Sequence, residues 1–386
     1  MIAAVAVFWS SLAVCLWIYF GYPMLLAILA RFHPRPSKKS AVRPSLTFVI
    51  PAYNEERTIG AKIDNTLSLD YPHDRLEVLV VSNGSTDRTT TIVRSYSDSR
   101  VRLIDLAAPG KIEALNEGAR QATGEILVFG DSDFLLDQHS LVALAEHFAD
   151  PSVGGVCGAR KRGVQREGDA TGEGEGLYAR WDRWQKIQES RIGSVFAADG
   201  LLYAIRKSLY VPVTNTAQAD DIAISVQVPL QGYRLLFDEH ASAWENATID
   251  AGSEFRRKIR VTGHSVSALL QLRSRLFTSG FYSVELLSHK LVRHLIPFFL
   301  ISLFVSNLRL LRRAPIYLLA MAGQSAVYLL ALIGAALRER LIGKSKIFYI
   351  PFYFCFVNAA AFLGVLSLLR RRRTAAWSSR GRATKG

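Results

Sequence analysis

From Ser45 onward the chain alternates between short apolar runs and segments of helical periodicity. The apolar runs occupy residues 46–50, 76–82, 101–106 and 126–129. Between them lie helical patterns through Ile59, Ile63 and Leu67, over 88–96, and over 111–122, the last with Ile112, Leu115 and Ala119 on one face. Parallel strands need a crossover connection, usually a helix, and strands alternating with helices build a sheet covered on both faces. The expected fold class is therefore α/β, with a mainly parallel sheet.

Apolar segments flank this pattern. Residues 1–30 are almost wholly apolar and are followed by Arg31, Arg35, Lys38, Lys39 and Arg43. That is long enough to span a bilayer. A cleaved signal peptide fits poorly, because no basic residue precedes the run and the run exceeds an ordinary signal core. The basic flank places the following residues on the cytoplasmic side. Three further apolar stretches lie near 294–308, 316–337 and 347–369; the first reaches spanning length only with Leu291 and Val292, and with Arg293 and Arg309 snorkelling. The expected organisation is an anchor over 1–30, a basic linker over 31–44, an α/β domain over 45–263, an interfacial amphipathic segment over 264–292, transmembrane α-helices over 293–369 and a basic tail over 370–386. Three carboxy-terminal crossings leave Arg370 to Arg373 outside, against the positive-inside tendency; a re-entrant or interfacial first segment is the alternative. Three crossings is the favoured reading.

Lysine and arginine outnumber the acids 47 to 33, a formal charge of +14, and 49% of the residues are hydrophobic. Such a balance suits anionic headgroups, nucleic acid or a phosphorylated substrate. The excess flanks the apolar segments, at 31–43, 309–313 and 370–373, so a membrane surface is the expected partner and nucleic acid is not. The three cysteines have no metal-site or disulfide spacing, and the eight histidines include no His-x-x-x-His pair, so zinc hydrolase chemistry has no support.

The stretch 124–134 ends an apolar strand in Asp131-Ser132-Asp133. In an open parallel sheet ligands bind beyond the carboxyl ends of the strands, and Mg²⁺ or Mn²⁺ commonly joins one or two carboxylates there to a substrate's phosphates. Taken alone, the tripeptide reads more readily as a polar turn after a buried strand. Its neighbours weigh on the choice. Asn54 and Glu55 follow the first strand, and Ser82, Asn83 and Asp87 follow the second. Gly110-Lys111 precedes a helix whose amino end favours an anion. It is not a P-loop, and no Gly-x-Gly-x-x-Gly is present to signal a dinucleotide site.

Taken in order, Pro51-Ala52-Tyr53-Asn54-Glu55-Glu56, Ser82-Asn83-Gly84-Ser85-Thr86-Asp87, Gly110-Lys111 with Ala114-Leu115-Asn116, and Asp131-Ser132-Asp133 closely resemble the family 2 glycosyltransferases. The likeness continues through the segments at 200–206, 219–221 and 231–234, and covers roughly residues 45–263. It implies a GT-A fold, a nucleotide-diphospho-sugar donor held with Mg²⁺ or Mn²⁺, and a place among membrane-bound enzymes related to cellulose, hyaluronan and poly-N-acetylglucosamine synthases. Asp131 and Asp133 match the metal and diphosphate motif. Pro51, Tyr53, Glu55, Ser82, Asn83, Asp87 and Ser132 match the nucleotide-sugar site, and Lys111 a position near the phosphates. Asp221 matches the general base of inverting members.

Some positions depart from the pattern. Ser82-Asn83 stands where many members have two aspartates, and Ala219-Asp220 replaces Thr-Glu before Asp221. Processive members carry Gln-x-x-Arg-Trp; the matching place here is Arg257-Lys258-Ile259-Arg260-Val261, which keeps only the arginine. Arg260 is thus expected at the diphosphate, while long-chain synthesis loses its acceptor signature. On the acceptor side the candidates are Gly200, Asp220, Trp181 and Trp184, although two tryptophans three apart on a helix read more readily as core. The implied activity is inverting transfer from a UDP-sugar to a lipid-linked or membrane-delivered saccharide in envelope or exopolysaccharide assembly. The implied setting is a multi-pass cell-membrane protein with a cytoplasmic catalytic domain, served by export or assembly proteins. A polyprenyl-phosphate glycosyltransferase and a catalytically silent nucleotide-sugar binder are the alternatives. Asn83-Gly84-Ser85 and Asn246-Ala247-Thr248 are glycosylation sequons by pattern, which a cytoplasmic domain would leave unmodified.

Overall fold

A computed structural model describes residues 1–108, 110–162, 170–214, 220–245, 251–272, 275 and 277–369. The chain opens with α1 (Ile2–Leu16), a π-helical turn over Trp17–Gly21 and α2 (Tyr22–Phe32). There follow β1 (Leu46–Ala52), α3 (Ile59–Leu67), β2 (Leu76–Asn83), α4 (Thr89–Arg94), β3 (Val101–Leu106), α5 (Lys111–Gln121) and β4 (Ile126–Phe129). Next come β5 (Phe134–Leu136), α6 (Ser140–Glu146), β6 (Val153–Arg162), α7 (Ala170–Ile192), β7 (Tyr203–Arg206), α8 (Asp220–Ser225), α9 (Gln227–Leu230) and β8 (Arg234–Glu245). The chain closes with α10 (Ala251–Gln271), α11 (Phe281–Glu285), a π-helical stretch over Leu286–Val292, α12 (Arg293–Leu308), α13 (Pro315–Ala336) and α14 (Lys346–Leu369).

These elements form two compact units. One takes residues 35–163 and 189–247 and holds an eight-stranded sheet in the order β3-β2-β1-β4-β7-β6-β8-β5. The strands β3, β2, β1 and β4 are mutually parallel, with Leu46 opposite Leu76 on one side and Ile126 on the other. Every residue of β1 and β4 is buried, as unbroken apolar runs require when both sheet faces are covered. Beyond β4 the sheet turns mixed: β7 is antiparallel to β4 and β6, β8 is parallel to β6, and β5 is antiparallel to β8. The carboxyl ends of β1, β2, β4, β6 and β8 therefore share one edge.

Tight packing sets the height of that edge. Gly118 of α5 lies so close to the sheet that a Cβ there would stand 2.5 Å from Val49 and 3.2 Å from Val81. The linker is fastened too. Buried Asp238 of β8 accepts from Lys39 at 2.6 Å and meets His147 Nε2 at 2.9 Å, and Ser37 bonds the other nitrogen of that ring. Burial pushes the Asp238 carboxyl upward, but these partners and the His240 backbone N–H hold it well below the usual carboxylate range.

The second unit takes residues 1–34, 164–188 and 248–374 and is helical in the part described. Four stretches are long and apolar enough to cross a membrane: Ile2–Phe32, Phe281–Leu308, Pro315–Ala336 and Lys346–Leu368. The second of them begins well before the apolar run visible in sequence, because α11, the π stretch and α12 continue one another. The interfacial segment expected over 264–292 is accordingly divided between the end of α10 and the start of this span. The glycine- and charge-rich composition of 164–176 predicts a loop. Residues 163–169 lie outside those described, and from Ala170 the chain is helical, glycine composition being overridden within α7. The tail from 370 onward and the sequon at 246–248 also lie outside the described residues.

Candidate active site

At the shared edge the loops after β1 and β2 are stitched together. Asn54 leaves β1 with φ 55°, a left-handed conformation that asparagine tolerates better than most residues. Its side chain there accepts the Thr86 backbone N–H at 2.8 Å, while its own N–H meets Ser85 Oγ at 3.2 Å. Asp87 accepts the Thr89 backbone N–H at 2.9 Å and the Glu56 backbone N–H at 3.1 Å. Burial pushes Asp87 up, but the Thr89 and Glu56 bonds outweigh it and leave the carboxyl below its ordinary value. Glu55 behaves oppositely. Burial raises its carboxyl, with Asp133 and Asp131 adding to the effect, although Thr58 Oγ1 donates to it at 2.7 Å.

Ser82 and Asn83 are fully buried at the end of β2. Ser82 Oγ and both amide atoms of Asn83 have no hydrogen-bond partner among the described residues. Unpaired buried polar atoms are uncommon and costly, and here three of them belong to two adjacent residues at the end of β2.

The loop after β4 carries the carboxylates. Lys111, at the start of α5, joins Asp131 at 2.8 Å to Asp220 at 3.0 Å. Burial alone would lower the Lys111 ammonium; Asp131 and Asp220 reverse that and raise it well above its ordinary value. Asp221 lies beside Asp220 at the first turn of α8. It accepts the Gly200 N–H at 2.9 Å and the Ile222 N–H at 2.8 Å. Burial, reinforced by Asp220, pushes the Asp221 carboxyl up to about 6. One carboxylate is thus spent on a lysine while its neighbour is held near neutrality. That division suits a positioning charge next to a proton acceptor.

Pro51, Tyr53, Glu55, Ser82, Asn83, Asp87, Lys111, Asp131, Ser132, Asp133, Gly200, Asp220 and Asp221 all belong to the sheet unit. Arg260 lies on α10 in the helical unit, as do Trp181 and Trp184 on α7. Trp181 packs there against Arg293 and Tyr19, and Trp184 is 37% exposed, so neither is core of the sheet unit. Residue 219, in the expected motif before Asp220, lies outside the described residues.

One buried cation that feels the charges of Asp131 and Asp133 escaped the sequence reading. Lys62 of α3 is fully buried; its Nζ donates to the Phe134 carbonyl at 2.9 Å and sits 4.7 Å over the Phe48 ring. Burial pulls its ammonium down to about 8, against the opposing pull of Asp131 and Asp133. The signal was present: Lys62 falls three residues after Ile59, on the apolar face of its helix.

Asp131 and Asp133 offer two oxygen donors of the kind Mg²⁺ and Mn²⁺ prefer. No group of three or more metal-ligating side chains occurs among the described residues, so the remaining positions would fall to substrate phosphate and water. The donor set fits a nucleotide-borne ion better than a resident one.

Comparison with known proteins points the same way. Residues 47–198 match the model for glycosyl transferase family 2, and residues 126–363 match that for glycosyl transferase family group 2. Poly-beta-1,6-N-acetyl-D-glucosamine synthase of Staphylococcus aureus (strain COL) is 27% identical over 230 residues, covering 57% of this chain and 55% of the synthase. Its counterpart from Staphylococcus epidermidis is 26% identical over the same length. The chain thus spans about half the length of the curated relatives it matches. Among solved structures, the mannosyltransferase PcManGT from Pyrobaculum calidifontis, in complex with GDP-Man and Mn2+, superposes with a TM-score of 0.68 at 23% identity. That match covers 94% of this chain and 99% of PcManGT, and it establishes a shared GT-A fold.

Proposed function

This chain belongs to glycosyl transferase family group 2 and is a glycosyltransferase, and we propose that it works by inverting, metal-dependent transfer from a UDP-sugar. The observation that carries this reading is the division of labour between neighbouring carboxylates: Asp220 is tied to Lys111 and Asp131, while Asp221 is held near pH 6. Donor binding would place the diphosphate at Asp131, Asp133 and Lys111, with the nucleoside between the loops bearing Tyr53, Glu55 and Asn83. Mg²⁺ or Mn²⁺ there would neutralise the charge that develops on the leaving diphosphate. Asp221 takes the proton of the acceptor hydroxyl as its oxygen bonds the anomeric carbon and the bond to the nucleoside diphosphate breaks. One displacement inverts that centre. The acceptor is a lipid-linked or membrane-delivered saccharide in envelope or exopolysaccharide assembly, and the sheet unit works at the cytoplasmic face of a multi-pass membrane protein.

Thermal-shift measurements on the full chain with UDP-, GDP- and dTDP-sugars and Mn²⁺ test the donor. A UDP-sugar should raise Tm, and Asp133→Ala should abolish the rise. A protein whose Tm ignores every nucleotide sugar would sink the proposal.

A further inference from the structure

Trp244 lies near the carboxyl end of β8, in the sheet unit, and is 37% exposed. Lone exposed aromatics are ordinary on a protein surface. This one is held in place. Its indole N–H donates to Asp137, a carboxylate that also accepts from the Ser242 hydroxyl and from Lys161 Nζ at 2.5 Å. The Lys161 ammonium stands 5.5 Å from the centre of the indole. Burial pushes the Asp137 carboxyl up, but Lys161, Ser242 and Trp244 outweigh it and keep it below its ordinary value. The indole bond is therefore made to an ionised acceptor, the stronger kind. An indole has one donor and no acceptor, so with that N–H spent on Asp137 the ring offers only carbon to a ligand.

Register places the ring. Trp244 pairs with Leu135 of β5 on one side and with Lys161 of β6 on the other, so the three share one face of the sheet. From 131 to 137 exposure alternates: Asp131, Asp133, Leu135 and Asp137 are half-buried, whereas Ser132, Phe134 and Leu136 are buried. Asp133 thus belongs to the Trp244 face. It is two positions along the chain from Leu135 and one strand away from Trp244, steps of about 7 Å and about 5 Å. In the strand order the loops after β1 and β2 lie on one side of β4, and β8 and β5 lie on the other. A molecule reaching from Asp131 and Asp133 toward β8 therefore extends away from the nucleoside loops. That is the direction in which a transferred sugar meets its acceptor.

We propose that Trp244 is a stacking platform for a sugar ring of the acceptor. The assignment rests on the transfer from nucleotide sugar to saccharide proposed above. A pyranose carries apolar C–H faces and a rim of hydroxyls. The indole face matches such a C–H face by dispersion and leaves the rim to water and polar side chains. Contact of this kind reads the flat shape of a ring rather than any single hydroxyl. Trp244 accordingly sets where the acceptor lies and not which sugar it is.

Saturation-transfer NMR on the full chain in detergent, with UDP and Mn²⁺ present, provides the test. The probes are β-1,6- and β-1,4-linked N-acetylglucosamine trimers and a mannose trimer. At least one trimer should bind wild type through its ring C–H protons. Trp244→Ala should weaken that binding about tenfold, and Trp244→Phe, which keeps a ring, should weaken it less. Should Trp244→Ala fail to fold, Trp244→Leu, apolar but without a π face, should weaken the same trimer several-fold. Affinities for UDP and for UDP-sugars are measured in parallel. A loss of UDP-sugar affinity as large as the loss of trimer affinity assigns the ring to the donor sugar or to the fold and overturns the proposal. Trimer affinity unchanged in the folded variants overturns it as well. Wild type that binds a UDP-sugar but no trimer refutes the platform and leaves the transfer reading standing; wild type that binds no nucleotide sugar refutes both.

Discussion

Asp221 shows how one position can be costly for stability and useful for chemistry. Its carboxyl is pushed from the ordinary value up to about 6 because burial and Asp220 disfavour the charged form more than the Ile222 N–H and Lys111 favour it. A base must be deprotonated to act, so kcat/KM should fall as pH drops through about 6, and a pH profile checks this. Asp221→Asn should cut turnover by about 10²- to 10⁴-fold at neutral pH, the usual worth of a positioned general base. Stability should move the other way. Because the folded carboxyl has the higher pKa, the native state binds more protons than the unfolded state between about 4 and 6, and stability is lost as pH rises through that window. Asp221→Asn should therefore melt at a higher temperature than wild type at pH 8, with the difference vanishing near pH 4. A variant no more stable at pH 8 would contradict the raised carboxyl.

Among elements, the α5 contact with the sheet decides where Lys111 stands. Gly118 leaves no space for a methyl group: a Cβ would sit 2.5 Å from Val49 Cγ1. Gly118→Ala should consequently destabilise the protein by about 1–3 kcal/mol, despite the better helix propensity of alanine. Trimming the opposing side chain, as Val49→Ala with Gly118→Ala, should recover part of the loss relative to the sum of the single changes. Denaturant melts of the four variants measure this coupling. Strict additivity would show that the contact does not position the helix. The same helix also holds the segment after β7 through Asn116, which donates to the Val213 carbonyl at 2.7 Å and accepts from Tyr210. Displacement of α5 should therefore register in activity before it registers in global unfolding.

For the whole molecule, the threading of the apolar helices decides which side of the membrane the arginine-rich tail occupies. Four stretches are long and apolar enough to cross. With the sheet unit cytoplasmic, three crossings after it put the arginine-rich tail on the opposite side, against the positive-inside tendency. Our reading accepts that exception. A single cysteine placed at Ser378 in a cysteine-free background should react with a membrane-impermeant maleimide added outside intact cells, whereas one at Ser68 should not. Labelling of both or of neither would require a different threading.

The alternation of apolar runs and helical patterns was enough to establish a parallel α/β sheet, because local periodicity reports which faces are buried. The ordered motifs marked the sheet edge where β1, β2 and β4 end, because each lies at or just after the end of a strand. Strands β5 and β6 were not legible, since β5 has only three residues and β6 begins Val153-Gly154-Gly155, where glycine masks the apolar pattern. Nor were the partners of Lys62 legible, although its apolar-face position hinted at burial. By itself the sequence determined the fold class, the apolar segments and the identity of the candidate carboxylates. Only tertiary structure decided what each charge meets: Asp220 a lysine, Asp221 two backbone N–H groups, and Arg293 two aromatic rings and the Asp182 carboxylate. Contacts between residues far apart in the chain depend on packing, and no local pattern encodes them.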